Sequence, residues 1–143
     1  MLHRFSEFVS GITECYRHIQ RIKAMEMTEL GLKGTHVMCL FYLHQSDGLT
    51  AAQLCGLCAE DKAAISRTVA ELEAGGYLEG RGKYRAPLLL TEKGRQTARQ
   101  IEGLVQQWVL LGGDGLTEEE RRAFYGALGK IADNLKENYR KGN

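Results

Sequence analysis

Proline is nearly absent from this chain, with Pro87 the single one among 143 residues. Because proline interrupts helices, its scarcity leaves long periodic segments free to continue as helix. No apolar run approaches the length of a membrane span, and the N-terminal "MLHRFSEFVSG" carries Glu7 and lacks the apolar core of a signal peptide. We therefore expect a cytoplasmic protein without membrane contact, built as one domain or as one core with an appended arm.

The sequence also lacks the patterns of enzymes and metal sites. It contains no G-x-S-x-G, no phosphate-binding glycine loop and no paired carboxylates. Its four histidines form no i,i+4 pair. We predict no catalytic activity, no metal and no cofactor.

Four cysteines are present, at 15, 39, 55 and 58, and in the cytosol they are expected to be reduced thiols. Cys55 and Cys58 form a C-x-x-C without the second ligand pair of a zinc site or the βαβ context of a thioredoxin-like site. We expect both to be small core residues beside Leu54. The alternative function is a cysteine-based redox protein that uses this pair.

The first segment predicts a helix of about twenty residues with an oligomerisation seam. Its apolar residues follow a 3.5-residue repeat typical of packing against another helix, often from a second chain: Phe5, Phe8, Ile12, Cys15, Ile19 and Ile22. The alternative is a helix packed into its own core. Cys15 either packs in this seam or, near Arg17 and His18, is a thiolate that senses oxidation.

The middle of the chain predicts helices and then a hairpin. Residues 35–43, "THVMCLFYL", are apolar nearly all round, which favours a buried helix over a strand. Thr50 and Asp61 are good N-caps for two short helices, the second with a core stripe of Ile65, Val69 and Leu72. "YLEG" and "YRAPLLL" predict short strands joined by "RGK", with Pro87 confining its strand to an edge.

Two further helices are predicted at the C-terminal end. Thr91 caps a helix whose stripe is Ala98, Ile101, Val105 and Trp108. "TEEE" is a capping box that opens the last helix, whose stripe is Phe124, Leu128, Ile131 and Leu135. We predict dimerisation segments at 1–30 and 92–143 around a central unit at 31–91.

Two short helices followed by a basic hairpin describe a winged helix-turn-helix, which places its second helix in the DNA major groove. If Ile65, Val69 and Leu72 face inward, the opposite face of the helix carries small side chains and one guanidinium, that of Arg67. The candidate DNA contacts are Thr50, Lys62, Ala63, Ser66 and Arg67, with Arg81, Lys83 and Arg85 on the hairpin. The competing interpretation is a solvated surface on which Arg67 has no role.

The chain resembles MarR-type transcriptional regulators over nearly its whole length. "DKAAISR…LE..GYL" followed by "LTEKG" carries the resemblance most specifically. It implies a homodimer with interlocking terminal helices that reads a palindromic operator on double-stranded DNA. It also implies repression relieved by a ligand or by cysteine chemistry. The wing "GRGKYRAP" is shorter than in many members and lacks their Asp-x-Arg pair.

An effector pocket for a small phenolic or other aromatic molecule is a further hypothesis. Its borders would be Tyr16, His36, Tyr42 and Trp108. The remaining functional alternative is a dimeric interaction module that does not bind DNA.

Overall fold

The computed structural model describes residues 1–80 and 85–141. The described residues form six helices, whose positions follow the predicted order: α1 Leu2–Thr28, α2 Gly34–His44, α3 Ala51–Cys58, α4 Lys62–Ala74, α5 Glu92–Gly112 and α6 Glu118–Lys141. The first helix is longer than predicted, with 27 residues. None of these helices is both long enough and apolar enough to cross a membrane.

The chain divides into two compact units, Met1–Gly103 and Leu104–Asn143. The core of the first unit is built where α2, α3 and α4 pack against each other, with additions from the end of α1 and the start of α5. Its largest fully buried side chains are Met27, Val37, Cys39, Leu40, Leu54, Ile65, Val69, Leu72 and Ile101. The segment 35–43 is therefore the buried helix that its all-round apolar pattern predicts.

Helix α1 has two different parts. Met27, near its C-terminal end, is fully buried in the core of the first unit. Earlier in the helix, the predicted seam residues Phe5, Ile12 and Ile19 are exposed by 65%, 38% and 48%. Of the other seam positions Cys15 is exposed, whereas Phe8 and Ile22 are half-buried. Packing into its own core, the alternative for this helix, thus applies only to its end.

The predicted N-caps are present and set the directions of the helices. Thr50 Oγ1 accepts from the amide of Gln53 at 3.3 Å, and Asp61 Oδ1 accepts from the amide of Ala64 at 2.7 Å. Thr91 Oγ1 accepts from the amide of Gly94 at 3.0 Å. Such caps satisfy amides that a helix start leaves unpaired.

The predicted hairpin is not confirmed. In the described part of the chain, its limbs meet at a single antiparallel bridge, Leu78 with Leu90, and a second bridge joins Leu88 to Leu49. The Leu88 amide donates to the Leu49 carbonyl at 2.8 Å. The predicted turn "RGK" is residues 81–83, which lie outside the described residues.

The start of α5 lies directly against the chain that leaves α4. Gly94 is buried there, and a Cβ at this position would collide with the Tyr77 carbonyl oxygen. Lys93 Nζ donates to the Gly75 carbonyl at 2.6 Å and lies 4.2 Å from the centre of the Tyr77 ring. These contacts hold α5 against the C-terminal end of α4, so only glycine fits at position 94.

The second unit contains the end of α5, a glycine-rich turn and α6. The predicted capping box is confirmed, since the Thr117 amide donates to Glu120 Oε2 at 2.8 Å and the Glu120 amide donates to Thr117 Oγ1 at 3.2 Å. The predicted apolar stripe of α6 is largely exposed in the single chain, with Phe124 at 52%, Ile131 at 37% and Leu135 at 63%; Leu128 is half-buried.

Candidate nucleic-acid interface

Helix α4 has one buried face and one low exposed face. Ile65, Val69 and Leu72 are at most 1% exposed, and they are joined by Thr68, which the sequence pattern did not indicate. The opposite face exposes the predicted residues Lys62, Ala63, Ser66 and Arg67, together with Ala70. The two alanines keep this surface low beside the guanidinium, which is a shape that allows close approach to base edges in a major groove.

A contact that sequence reasoning missed ties α4 to the start of α2. His36 Nε2 lies 2.6 Å from Glu71 Oε2, and the Lys33 amide donates to His36 Nδ1 at 3.1 Å. Because Nδ1 accepts, Nε2 carries the proton and donates to the carboxylate. The His36 hydrogen bond, with the nearby Lys33 ammonium at 3.8 Å, lowers the pKa of Glu71.

This arrangement matters for the exposed face because Glu71 is four residues after Arg67, the spacing at which helical side chains of opposite charge pair. His36 and Lys33 hold the carboxylate from the α2 side. Arg67 remains exposed at the surface of α4. No local sequence pattern predicts the contact between His36 and Glu71, because the two residues are 35 positions apart.

Thr50 is used structurally at the start of α3. Besides capping the helix, its own amide donates to Gln53 Oε1 at 2.9 Å, which completes a capping box. The side chain is half-buried. Its predicted contact with DNA stays a prediction.

Of the three predicted wing cations, only Arg85 lies within the described residues. It is exposed and has a φ of 71°, in the left-handed region that non-glycine residues rarely adopt. Arg81 and Lys83 fall in the segment 81–84, outside the described residues.

Two cations of the basic segment that follows serve the fold. Lys93 is bound to the Gly75 carbonyl, as described above. Arg95 Nη1 donates to the Leu90 carbonyl at 2.8 Å, and its Nη2 lies 3.1 Å from Glu92 Oε2. The concentration of charge in the sequence therefore overstates the positive surface open to a polyanion.

The residues predicted to border an effector pocket lie in different environments. Tyr16 is 61% exposed on α1, and His36 is buried against Glu71. Tyr42 is half-buried with its ring edge-on to Phe41, at 5.5 Å between centroids. Trp108 is half-buried in the second unit. Their grouping around one ligand stays a prediction.

Cys58 contacts a cysteine that is distant in the sequence. Cys55 and Cys58 are half-buried, and Cys58 Sγ lies 3.9 Å from Sγ of Cys39, a residue on α2 that sequence reasoning gave no role. Cys15 is exposed. In the described residues no three His, Cys, Asp or Glu side chains gather in a way that could hold a metal ion.

Comparisons with known proteins agree with this architecture. Residues 30–82 match the sequence model of the MarR family. No curated protein sequence matches the chain.

Solved structures match over nearly the full length. A MarR-family transcriptional regulator from Listeria monocytogenes, solved with a 26-mer DNA, has a TM-score of 0.84 at 24% identity, covering 94% of this chain and 95% of that one. One from Silicibacter pomeroyi has a TM-score of 0.76 at 26% identity, covering 87% and 89%. A MarR protein from Peptoclostridium difficile has a TM-score of 0.82 at 19% identity, covering 95% and 92%.

The family match covers the helices that build the low exposed face of α4, and the structural matches extend the same fold to both ends of the chain. The match to a family of regulators agrees with the expectation of a non-enzymatic protein. Residues 30–82 thus resemble the MarR family of transcriptional regulators, and the chain shares the fold of solved proteins of that family.

Proposed function

We propose that the chain is a cytoplasmic repressor that binds a palindromic DNA operator as a homodimer and leaves it when a small ligand or an oxidant acts. The observation that carries DNA binding is the two-sided character of α4. Its buried Ile65, Val69 and Leu72 anchor it, while Lys62, Ala63, Ser66 and Arg67 line the exposed side.

The roles on that side follow from chemistry. The Arg67 guanidinium has the planar donor geometry that binds guanine O6 and N7 or a phosphate. Lys62 and Ser66 lie near the N-terminal end of α4, where amides and the helix dipole favour a phosphate. Arg85 would approach the DNA backbone beside the groove, together with Arg81 and Lys83 of the wing.

The exposed apolar stripes support a homodimer. On α1, Phe5, Val9, Ile12, Tyr16 and Ile19 are each exposed by 38–65% and follow spacings of four and three residues. On α6, Phe124, Ile131 and Leu135 are exposed by 37–63%. Apolar surface of this extent on a globular protein marks an interaction site. A two-fold axis then relates two copies of α4, so that the operator has two half-sites about 34 Å apart.

The test is a mobility-shift titration with the DNA that flanks the gene for this protein. We expect a saturable complex of one dimer per palindromic site that survives excess unrelated DNA. A matched probe with one half-site scrambled should bind weakly. Equal affinity for both probes and for unrelated DNA would refute specific recognition and favour an interaction module.

A further inference from the structure

Cys39 and Cys58 form a thiol pair at the contact between α2 and α3. Their sulfur atoms lie 3.9 Å apart although the residues are 19 positions apart in the chain. Cys39 is fully buried, whereas Cys58, the last residue of α3, is half-buried. Cys58 is thus the more exposed residue of the pair.

The two thiols differ in acidity. The hydrogen bond from the Cys39 thiol lowers the pKa of Cys58, and the Lys23 ammonium acts in the same direction. The same hydrogen bond, with burial, raises the pKa of Cys39. Cys58 is therefore the more acidic of the two thiols, and the thiolate is the form that reacts as a nucleophile.

Other groups around the pair also act on its ionisation: burial and the Glu60 carboxylate oppose the lowering of the Cys58 pKa. Burial lowers the pKa of Lys23, while the charges of Cys58 and Glu60 oppose that change. Burial, with the nearby Cys58, raises the pKa of the Tyr42 hydroxyl, so that this side chain stays neutral. Cys55 is also half-buried, but it is Cys39 that lies in hydrogen-bond contact with Cys58.

We propose that Cys39 and Cys58 are an oxidation site that reacts with a hydroperoxide and closes to a disulfide. The Cys58 thiolate attacks the terminal peroxide oxygen, the O–O bond breaks, and the departing alkoxide takes a proton to become an alcohol. Cys58 is then a sulfenic acid. The Cys39 sulfur attacks it, the S–O bond breaks, and water leaves with the Cys39 proton. The peroxide is reduced by two electrons and the two thiols are oxidised by two.

The position of Cys58 connects this step to α4. Cys58 is followed by Ala59, whose φ of 52° turns the chain sharply after α3. Asp61, three residues after Cys58, caps α4. The sulfurs must approach from 3.9 Å to about 2.05 Å to form the bond. Because α3 and α4 share this short turn, closure draws the end of α3 towards α2 and displaces the start of α4.

This regulatory consequence rests on the proposed DNA binding by α4. Formation of the disulfide should lower operator affinity by about 5- to 150-fold, the usual range for coupling between two sites. Reduction with dithiothreitol should restore it.

The experiment uses the full chain carrying Cys15→Ser and Cys55→Ser, which retains only the proposed pair. Cumene hydroperoxide is added in increasing amounts, and free thiols are counted after denaturation. Trypsin leaves both cysteines on fragment 34–62, because no Lys or Arg lies between Lys33 and Lys62. Cleavage of this fragment before Asp47 then separates Cys39 from Cys58. We expect the two halves to stay joined until they are reduced.

Two variants in the same background separate the steps. Cys58→Ser should leave Cys39 unreactive towards the hydroperoxide. Cys39→Ser should stop at a sulfenic acid on Cys58 that dimedone traps. In the wild-type chain, the peroxide should link Cys58 to Cys39. A Cys55–Cys58 linkage, or two free thiols after peroxide treatment, would overturn the proposal.

The outcomes also distinguish this site from the proposed function. Reduced protein that binds no operator yet forms the Cys39–Cys58 bond would refute DNA binding and leave the oxidation site established. Reduced protein that binds the operator with the same affinity before and after the bond forms would refute the coupling to α4.

Discussion

His36 Nε2 lies 2.6 Å from Glu71 Oε2, which fastens the start of α2 to the exposed side of α4. His36 is only 7% exposed, while the Glu71 side chain is 48% exposed. The bond therefore joins a buried imidazole to a carboxylate at the edge of the proposed DNA-binding face.

Replacing His36 with alanine should weaken operator binding although His36 does not reach the exposed face. Glu71 then becomes more available to Arg67, four residues earlier, and a weak helical ion pair of this kind should lower affinity by about twofold. Fluorescence anisotropy with the operator measures the change. In the control His36→Ala/Glu71→Ala the competing carboxylate is gone, and affinity should return. If it does not, the loss has another cause.

The same contact predicts a pH dependence of stability. The pKa of Glu71 is lower in the folded chain than in the unfolded one, so the unfolded state binds more protons between the two values. The stabilisation is present above the unfolded glutamate value of about 4.3 and is lost as pH falls through the folded value. Urea unfolding at several pH values should show wild type and Glu71→Gln converging in acid.

A double-mutant cycle with His36→Ala tests the cause of that convergence. In the His36→Ala background, Glu71→Gln should change the pH dependence much less than in the wild type, because the first cause of the lowered pKa is gone. An equal change in both backgrounds would assign the effect to other charges.

Arg67→Ala should weaken specific operator binding by about 1–3 kcal/mol, the usual value of one good base contact. The matched control is Arg122→Ala on α6, an exposed arginine that lies 3.2 Å from Glu118. Mobility shifts with the operator and with unrelated DNA compare the two. Wild-type affinity in Arg67→Ala would show that this face of α4 does not read the DNA.

Ile12→Glu should convert the proposed dimer to a monomer, because it introduces a charge into the exposed apolar stripe of α1. The control, Arg21→Glu, places the same residue about 180° around the same helix from Ile12. Sedimentation equilibrium gives the mass, and circular dichroism checks that the helices remain. A dimeric Ile12→Glu protein would place the interface elsewhere.

Gly94→Ala should destabilise the first unit by about 1–3 kcal/mol, as overpacking of a tight contact does. The added methyl group collides with the Tyr77 carbonyl, which belongs to the backbone and has little freedom to shift. Gly103→Ala on the same helix meets no atom within 4 Å and should stabilise by about 0.5–1 kcal/mol through better helix propensity. Urea unfolding of the two variants should therefore move in opposite directions.

Sequence reasoning placed the helices and their starts well because the responsible interactions are local. Asp61 caps the amide of Ala64, three residues away, and Thr117 and Glu120 satisfy each other over the same distance. The seam predicted for α1 alternates spacings of three and four residues from Phe5. Alternating four and three from the same residue adds Val9 and Tyr16, which are also exposed.

The wing was predicted less well. The alternating pattern and the turn residues predicted two paired strands. In the described residues, these two segments meet at the isolated bridge between Leu78 and Leu90, and Leu88 forms a separate bridge with Leu49 before α3. A bridge between residues so far apart depends on how the helices bring their ends together. The sequence also does not reveal that Lys93 and Arg95, which follow the wing, are bound to backbone carbonyls.

The sequence by itself determined which segments are helices, where they begin and which face of α4 is buried, since these depend on side chains within one or two turns of each other. Only the tertiary structure decided that His36 holds Glu71 and that Cys58 contacts Cys39 rather than Cys55. Those pairs are 35 and 19 residues apart. They meet because buried apolar faces pack α2 against α3 and α4, and no periodicity along the chain records which side chains such packing brings into contact.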